Sequence, residues 1–486
     1  MTPAATISRG APRARGTARR AAPPCAVVAM ADGTLIELPG VAPARRCGRE
    51  MLPIDPAELV PLPRGASLYA LPGRTAIGFT AAGRSPLPGH GAAAAFLPPG
   101  WSVFGLAAFE REAGAPLLPL FSYAALCWWK GSFHVPAARV ERDVKHDPDP
   151  RADARLRQRV AHLRKRWPAN RLIEHLGRNC ALEWGCANAK NLFHQRWECP
   201  VPLAPACNAA CVGCISAQPD APIPSPQDRL AFVPEVDEVL QFVLPHLETA
   251  PRAMVSFGQG CEGEPLLQAE RIEAICHAIR ARTRRGTLHL NTNGSRPEAV
   301  ARLFAAGLDS IRVSLNSAQP HAYAAYYRPL TYGFEAVARS IEAAKRANGL
   351  ASINYLAFPG FTDSVAEVAA LEALIERTGL DLIQWRNLNI DPDAYCDVIG
   401  LAPGTPALGM RRLLGHLRAR YPGVRHGYVN PPRETFARWR KAAEGRDDES
   451  PGRAGVGDGD GGPRGGGRRS VRGRAAAGVG RRAQRG

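Results

Sequence analysis

The stretch Cys207-Asn208-Ala209-Ala210-Cys211-Val212-Gly213-Cys214 decides how this chain is read. Three thiols within eight residues can wrap one face of a small ion assembly. They can supply three ligands to a [4Fe–4S] cluster, which usually takes four, so one iron stays open. Zinc prefers CxxC pairs and a fourth local ligand, and none stands immediately downstream. The wider cysteine pattern agrees with a local site. Of twelve cysteines, seven lie between Cys180 and Cys261, which is not the even spread of a secreted disulfide scaffold.

Outward from the motif, residues 197–395 alternate short β-type runs with amphipathic helical runs. Strands are expected at 253–257, 288–293, 310–316, 352–357 and 382–387, and a helix at 365–377 with Ser364 and Glu367 as a capping box. Such alternation argues for a parallel α/β sheet or barrel. The strands share a further feature. His289, Asn291 and Asn293 fall on one face of their strand, Arg312, Ser314 and Asn316 on one face of the next, and Gln384 and Arg386 align in the same way. A parallel strand covered on both faces should be apolar on both. Polar faces on several strands point to a barrel whose lumen holds a polar ligand.

These elements together resemble the radical S-adenosylmethionine (radical SAM) superfamily. The CxxxCxxC motif stands at the head of the alternating region. Gly263-Glu264-Pro265 is similar to that family's Gly-Gly-Glu-Pro element, whose backbone receives the SAM amino group. The glycine pair is broken here, the run reading Gly260-Cys261-Glu262-Gly263-Glu264-Pro265. Asn291-Thr292-Asn293-Gly294 resembles the family's Thr-Asn-Gly strand end. Ser314 and Asn316 lie where a polar residue commonly contacts the SAM ribose, and the 358–363 loop is similar to the glycine-containing loop near the adenine. The residue before the third cysteine, usually aromatic, is Gly213.

The resemblance implies a partial (β/α)6 TIM-like barrel that binds a [4Fe–4S] cluster through Cys207, Cys211 and Cys214. It implies SAM contacts at Gly263, Glu264, Pro265, Asn293, Ser314 and Asn316. The implied activity is reductive cleavage of SAM to a 5′-deoxyadenosyl radical that abstracts hydrogen from a substrate, with an electron donor such as flavodoxin or ferredoxin. The alternative is a non-catalytic iron–sulfur or zinc protein on the same scaffold. No catalytic side chain beyond the cofactor set is assigned, and substrate identity, SAM regeneration and oligomeric state are not legible. Arg312 or Arg386 is suited to an anionic substrate group or to the SAM carboxylate, or else to a structural ion pair.

The remaining chain divides into residues 1–29, a disordered extension; 30–150, a β-rich or irregular accessory domain; 151–196, a helical connector carrying Cys180 and Cys186; 396–444, a helical extension; and 445–486, a disordered Gly/Arg-rich tail. Cys180, Cys186 and Cys199 have irregular spacings and are read as buried thiols in preference to a second cluster or a zinc site. Cys261 is read as a core or loop cysteine. Tyr323, Tyr326 and Tyr327 are read as a packed helix face.

Composition narrows the function classes. The 486 residues are 45% hydrophobic and carry a formal charge of +18. Residues 1–29 hold +5 and residues 441–486 another +5, so the body is only modestly basic. Nucleic-acid binding is not indicated beyond those ends. No run of 18 apolar residues marks a membrane span, and a cytoplasmic location is expected.

Overall fold

The computed structural model describes residues 22–141, 143, 154–219 and 221–439. Seven parallel strands pair in strict chain order: β1 (Glu198–Val201), β2 (Met254–Phe257), β3 (Thr287–Thr292), β4 (Ser310–Leu315), β5 (Leu350–Ala357), β6 (Leu382–Asn387) and β7 (Arg425–Gly427). Helices fill most of the crossovers: α1 (Val236–Thr249), α2 (Ala269–Arg282), α3 (Pro297–Ala305), α4 (Pro320–Tyr327), α5 (Phe334–Arg346), α6 (Val365–Thr378), α7 (Pro392–Val398) and α8 (Met410–Arg420). Parallel pairing requires such crossovers, because each strand must return to the same end before it re-enters the sheet. The apolar strand face, with Ile311, Val313, Ile353 and Ile383 fully buried, packs under these helices.

The opposite strand face is polar, as the sequence pattern predicts, and it is internally bonded. His289 bonds Ser310 Oγ through Nδ1 at 2.7 Å and Asn291 Oδ1 through Nε2 at 3.0 Å. Arg312 on β4 donates across β5 to Gln384 Oε1 on β6 at 2.9 Å. After β7 the chain returns over this face. Asn430 accepts from Arg312 at 3.3 Å and donates to Glu198 Oε1 on β1 at 3.1 Å. The first strand and the segment after the last are therefore within hydrogen-bond reach, and the sheet is curled into a partial barrel.

Two boundaries and one cap differ from the sequence expectation. Residues 396–444 are not purely helical, since Arg425–Gly427 pairs parallel with β6 and makes a seventh strand where six were expected. The start of the accessory domain lies earlier than residue 30. Cys25–Ala29 is a strand paired with three neighbours, because its apolar residues are buried from Ala26 onward. The rest of 1–29 that falls in 1–21, and the whole 445–486 tail, lie outside the described residues. Finally, Ser364 caps α6 by accepting from Glu367 N–H, but Glu367 does not return the bond. Its buried carboxylate accepts instead from Ser317 Oγ at 2.6 Å, Ala318 N–H at 2.6 Å and Gln319 at 2.7 Å, and from Tyr355. Burial beside an unsatisfied loop outweighs a local cap.

The accessory region is a twelve-stranded antiparallel sheet running from Cys25 to Arg139. It docks at the C-terminal ends of β5 and β6. Gly48 N–H donates to Pro359 O at 2.6 Å, and Asn387 bonds the backbone of Trp101 and Val103 at 2.9 and 3.0 Å. Arg46 pairs with Asp393. The pair Arg74–Asp391, at 2.8 Å, has both side chains wholly buried. Asp391 also caps α7 and accepts from Leu118 N–H at 3.0 Å. The connector folds as Leu156–Arg166 and Arg171–His175, a π-helical stretch Leu176–Glu183, and Ala187–Phe193. No described helix is long and apolar enough to cross a membrane.

Removing one partner of a buried ion pair strands the other charge. Arg74→Met is expected to lower unfolding free energy by about 3–5 kcal/mol, read by urea denaturation. A loss under about 1 kcal/mol, the scale of an exposed pair, would show that this interface is not held by Arg74 and Asp391.

Candidate cofactor site

The cysteine loop leaves β1 at Val201 and is gripped from two sides by backbone. One grip is the Gly260–Pro265 loop that follows β2. Gly263 N–H donates to Ala204 O at 2.6 Å and Glu264 N–H to Ala206 O at 2.9 Å. The Glu262 carboxylate accepts from Leu203 and Ala204 N–H at 2.7 and 2.9 Å, and from Gln259 N–H at 2.6 Å. A Cβ at Gly263 would overlap the Ala206 carbonyl and lie 3.0 Å from Cys207 N. Only glycine allows that approach. The other grip is the C-terminal end of α4, whose last carbonyls have no partner within the helix. Val212 N–H donates to Tyr326 O at 3.0 Å and Ala210 N–H to Tyr327 O at 3.1 Å. Leu330 N–H then donates back to Asn208 O at 2.9 Å.

Cys207, Cys211 and Cys214 are thereby presented together on one loop, each half-buried. Burial pushes all three thiols up, and the Arg229 guanidinium opposes this at Cys207 and Cys214. Among the described residues only one set of three Cys, His or acidic donors comes within 4.8 Å of one another, and it is a different set, His175, Cys180 and Cys261. Three free cysteines presented on one gripped loop are the donor set that suits a [4Fe–4S] group.

The expected SAM-contacting residues surround this loop in different ways. Glu264 is buried with both carboxylate oxygens used, accepting from Leu266 N–H at 2.9 Å and Asn293 N–H at 2.8 Å, and from Thr292. Burial raises it to about 7. Its side chain therefore braces the strand end of β3 against the 260–265 loop. Pro265 opens the short turn behind it. Asn293 donates to Asn208 Oδ1 at 2.8 Å, which ties the end of β3 to the motif itself. Ser314 is half-exposed on the lumen face of β4. Asn316 is fully buried, donates to Ala322 O and Tyr395 at 3.1 and 3.2 Å, and keeps Oδ1 without a partner.

Gly213 stands against an aromatic ring supplied from elsewhere. A Cβ there would meet the Tyr326 hydroxyl at 2.6 Å. Tyr326 stacks edge-on with Tyr327 and Tyr395, so the tyrosines of α4 are packed and also abut the motif. Sequence reasoning missed this role, and it missed Glu262 and Arg229. A paired Gly213 and Tyr326 leaves no local signature, because the two residues are brought together by the fold.

Deeper in the lumen, Arg312 and Arg386 lie side by side. Burial, then the neighbouring Arg386, lowers Arg312 to about 9. Arg312 bonds only neutral oxygens, those of Gln384 and Asn430, and its Nε has no partner. Arg386 donates to Asn354 Oδ1 at 2.7 Å and Tyr428 O at 2.8 Å and lies over the Tyr428 ring. Neither guanidinium pairs with a carboxylate among the described residues. Burial also keeps His289 neutral, lowering it to about 4.

Residues 201–371 match the family model described as the Radical SAM superfamily. No curated protein sequence matches the chain. Among solved structures, methylornithine synthase (PylB) is 10% identical with a TM-score of 0.34, the match covering 57% of this chain and 78% of that one. A radical SAM methyltransferase from Sphaerobacter thermophilus is 17% identical with a TM-score of 0.32, covering 48% and 66%. Streptococcus suis SuiB is 10% identical with a TM-score of 0.34, covering 65% and 72%. Likeness at this level carries no argument about what this chain acts on.

Gly263→Ala forces backbone apart at the motif, at a cost of about 1–3 kcal/mol for overpacking. Iron and sulfide retained after anaerobic reconstitution are expected to fall several-fold. Gly333→Ala, where a Cβ meets open space, is the control and should retain both. Equal retention in the two variants would show that the 263–206 contact does not shape the cluster loop.

Proposed function

The chain is a radical SAM enzyme with a [4Fe–4S] cluster and SAM as its cofactors, and from that premise we propose that it cleaves SAM reductively and directs the resulting radical at an anionic substrate in the barrel lumen. A cluster held by Cys207, Cys211 and Cys214 would supply the one-electron reduction that such cleavage of SAM needs. The chain's own residues do the rest. Cys207, Cys211 and Cys214 hold the cluster. The backbone of Gly263, Glu264 and Pro265 receives the SAM amino group, and the Glu264 side chain keeps that loop in place. Asn293 positions the motif through Asn208, and Ser314 offers its free hydroxyl to the ribose. Asn316 orders the start of α4 and Tyr395 behind that contact.

The observation that supports an anionic substrate is the Arg312–Arg386 pair. Two neighbouring, half-buried guanidiniums repel each other, the field of Glu198 on Arg312 is the smaller opposing influence, and an entering carboxylate or phosphate removes the remaining cost while gaining charge-assisted bonds. A flavodoxin- or ferredoxin-type donor supplies the electron, and the cytoplasm keeps the thiolates reduced. A purely structural metal site has no need of the second grip, Asn293 or the free Ser314 hydroxyl, and this weighs against a non-catalytic role.

Anaerobically reconstituted protein given SAM and dithionite is expected to release 5′-deoxyadenosine, and Cys207→Ala to release none. Intact wild-type clusters that yield no deoxyadenosine would overturn the reaction. For the lumen, millimolar inorganic phosphate or succinate is expected to raise the melting temperature of the wild type through ligand linkage. Arg312→Gln should abolish that rise and leave the KM for SAM unchanged. A raised KM for SAM would instead assign the pair to the SAM carboxylate.

A further inference from the structure

A second donor set lies outside the cofactor loop. Cys180 and Cys261, 81 residues apart in sequence, bring their sulfurs to 3.6 Å. A ring nitrogen of His175 completes a trio whose ligand atoms all lie within 4.8 Å of one another. Cys180 and Cys261 are 2% and 4% exposed, and His175 is 9% exposed. The local fold explains how the helix contributes two of the three. In an α-helix a residue five positions on points about 140° away. The π-helical turns that begin after His175 bond i to i+5, which stacks Cys180 over His175 on one face. The irregular backbone thus has a local consequence, since it aims two metal-type donors at Cys261.

The distances discriminate among the uses of such a trio. A disulfide needs its sulfurs about 2.05 Å apart. A cubane cluster holds its thiolates on separate irons and spreads them further than this. Two thiolates on one tetrahedral ion at about 2.3 Å each are ~3.8 Å apart, close to the 3.6 Å seen. Two sulfurs and an imidazole in a dry setting are soft and borderline donors, which select zinc over calcium or magnesium. His175 is also prepared for ligation. Its Nε2 is buried without a hydrogen-bond partner, and its Nδ1 faces the Asn179 side-chain amide at 3.3 Å. With the Asn179 amide turned so that its oxygen rather than its nitrogen faces Nδ1–H, Asn179 orients the ring as ligating histidines commonly are. Cys186 follows six residues after Cys180. Its N–H donates to Cys180 O at 2.7 Å.

We propose that His175, Cys180 and Cys261 bind a zinc ion, with Cys186 as the fourth ligand. This site is separate from the Cys207–Cys214 cluster and does not depend on the radical chemistry. Its place gives it a structural consequence. Cys261 belongs to the same 260–265 loop whose Glu262 and Gly263 grip the cluster loop. An ion there ties the helices of residues 171–186 to that loop and stiffens it from behind.

The test uses the full chain with Cys207, Cys211 and Cys214 all changed to Ala, so that the cluster thiols cannot compete. Purified without added metal, it is expected to hold about one zinc per chain by elemental analysis. Adding Cys180→Ser and Cys261→Ser should cut this at least tenfold, with circular dichroism confirming that the protein remains folded. Cobalt titrated into the parent, which needs no change at the site, is expected to give the visible bands of a tetrahedral ion and a thiolate charge-transfer band. That band should weaken in Cys186→Ser. Zinc at background in the parent with no tetrahedral cobalt spectrum would overturn the proposal. So would zinc unaffected by the serine pair, or a Cys180–Cys261 disulfide in the intact mass of freshly purified protein.

Discussion

The close backbone approach at Gly263 is the constraint on which the rest of this site depends. A loop of three cysteines has no reason of its own to hold one shape, since its short side chains bury little surface. Here the shape is imposed by hydrogen bonds to rigid neighbours. The 260–265 loop supplies amide donors and the Glu262 carboxylate, and the end of α4 supplies two carbonyls. Because the cysteine loop satisfies helix-end carbonyls that would otherwise be orphaned, its position is as fixed as the helix. Residues that grip the motif also include Gly263 and Glu264, which we propose receive SAM. Glu264 and Asn293 tie the 260–265 loop, the end of β3 and the cysteine loop into one bonded unit.

The polar lumen shows the same economy. On β3, β4 and β6 the polar inward side chains bond one another or remain available at the centre. His289, Ser310, Asn291 and Ser256 satisfy one another, while Arg312 and Arg386 share Gln384 Oε1. A barrel that needed only stability would fill this space with apolar side chains. The accessory sheet closes over the C-terminal ends of β5 and β6 through the buried Arg74–Asp391 pair. It therefore borders the C-terminal end of the barrel.

Much of this was legible in the sequence, for identifiable reasons. Strand period and helix period differ, so the alternation of residues 253–387 exposed the parallel sheet, and β6 was placed at its true limits. The polar faces of β3, β4 and β6 were visible because side-chain direction alternates strictly along a strand. The parts that were not legible depend on non-local contact. Glu367 reads as a capping partner because its spacing from Ser364 is right, but tertiary acceptance from Ser317 and Ala318 overrides the local bond. The seventh strand is three residues long and follows a helix, so periodicity cannot mark it. The trio of His175, Cys180 and Cys261 was hidden because α-helical spacing sets His175 and Cys180 on different faces. Only the π turns bring them together.

The central claim is that the gripped cysteine loop holds a cluster with one iron open to SAM. The most direct measurement is the electron paramagnetic resonance spectrum of the dithionite-reduced, reconstituted protein with and without SAM. The account predicts a reduced [4Fe–4S] signal whose g values shift when SAM is added, with the shift lost in Gly263→Ala. A cluster signal in the wild type that is indifferent to SAM would contradict it.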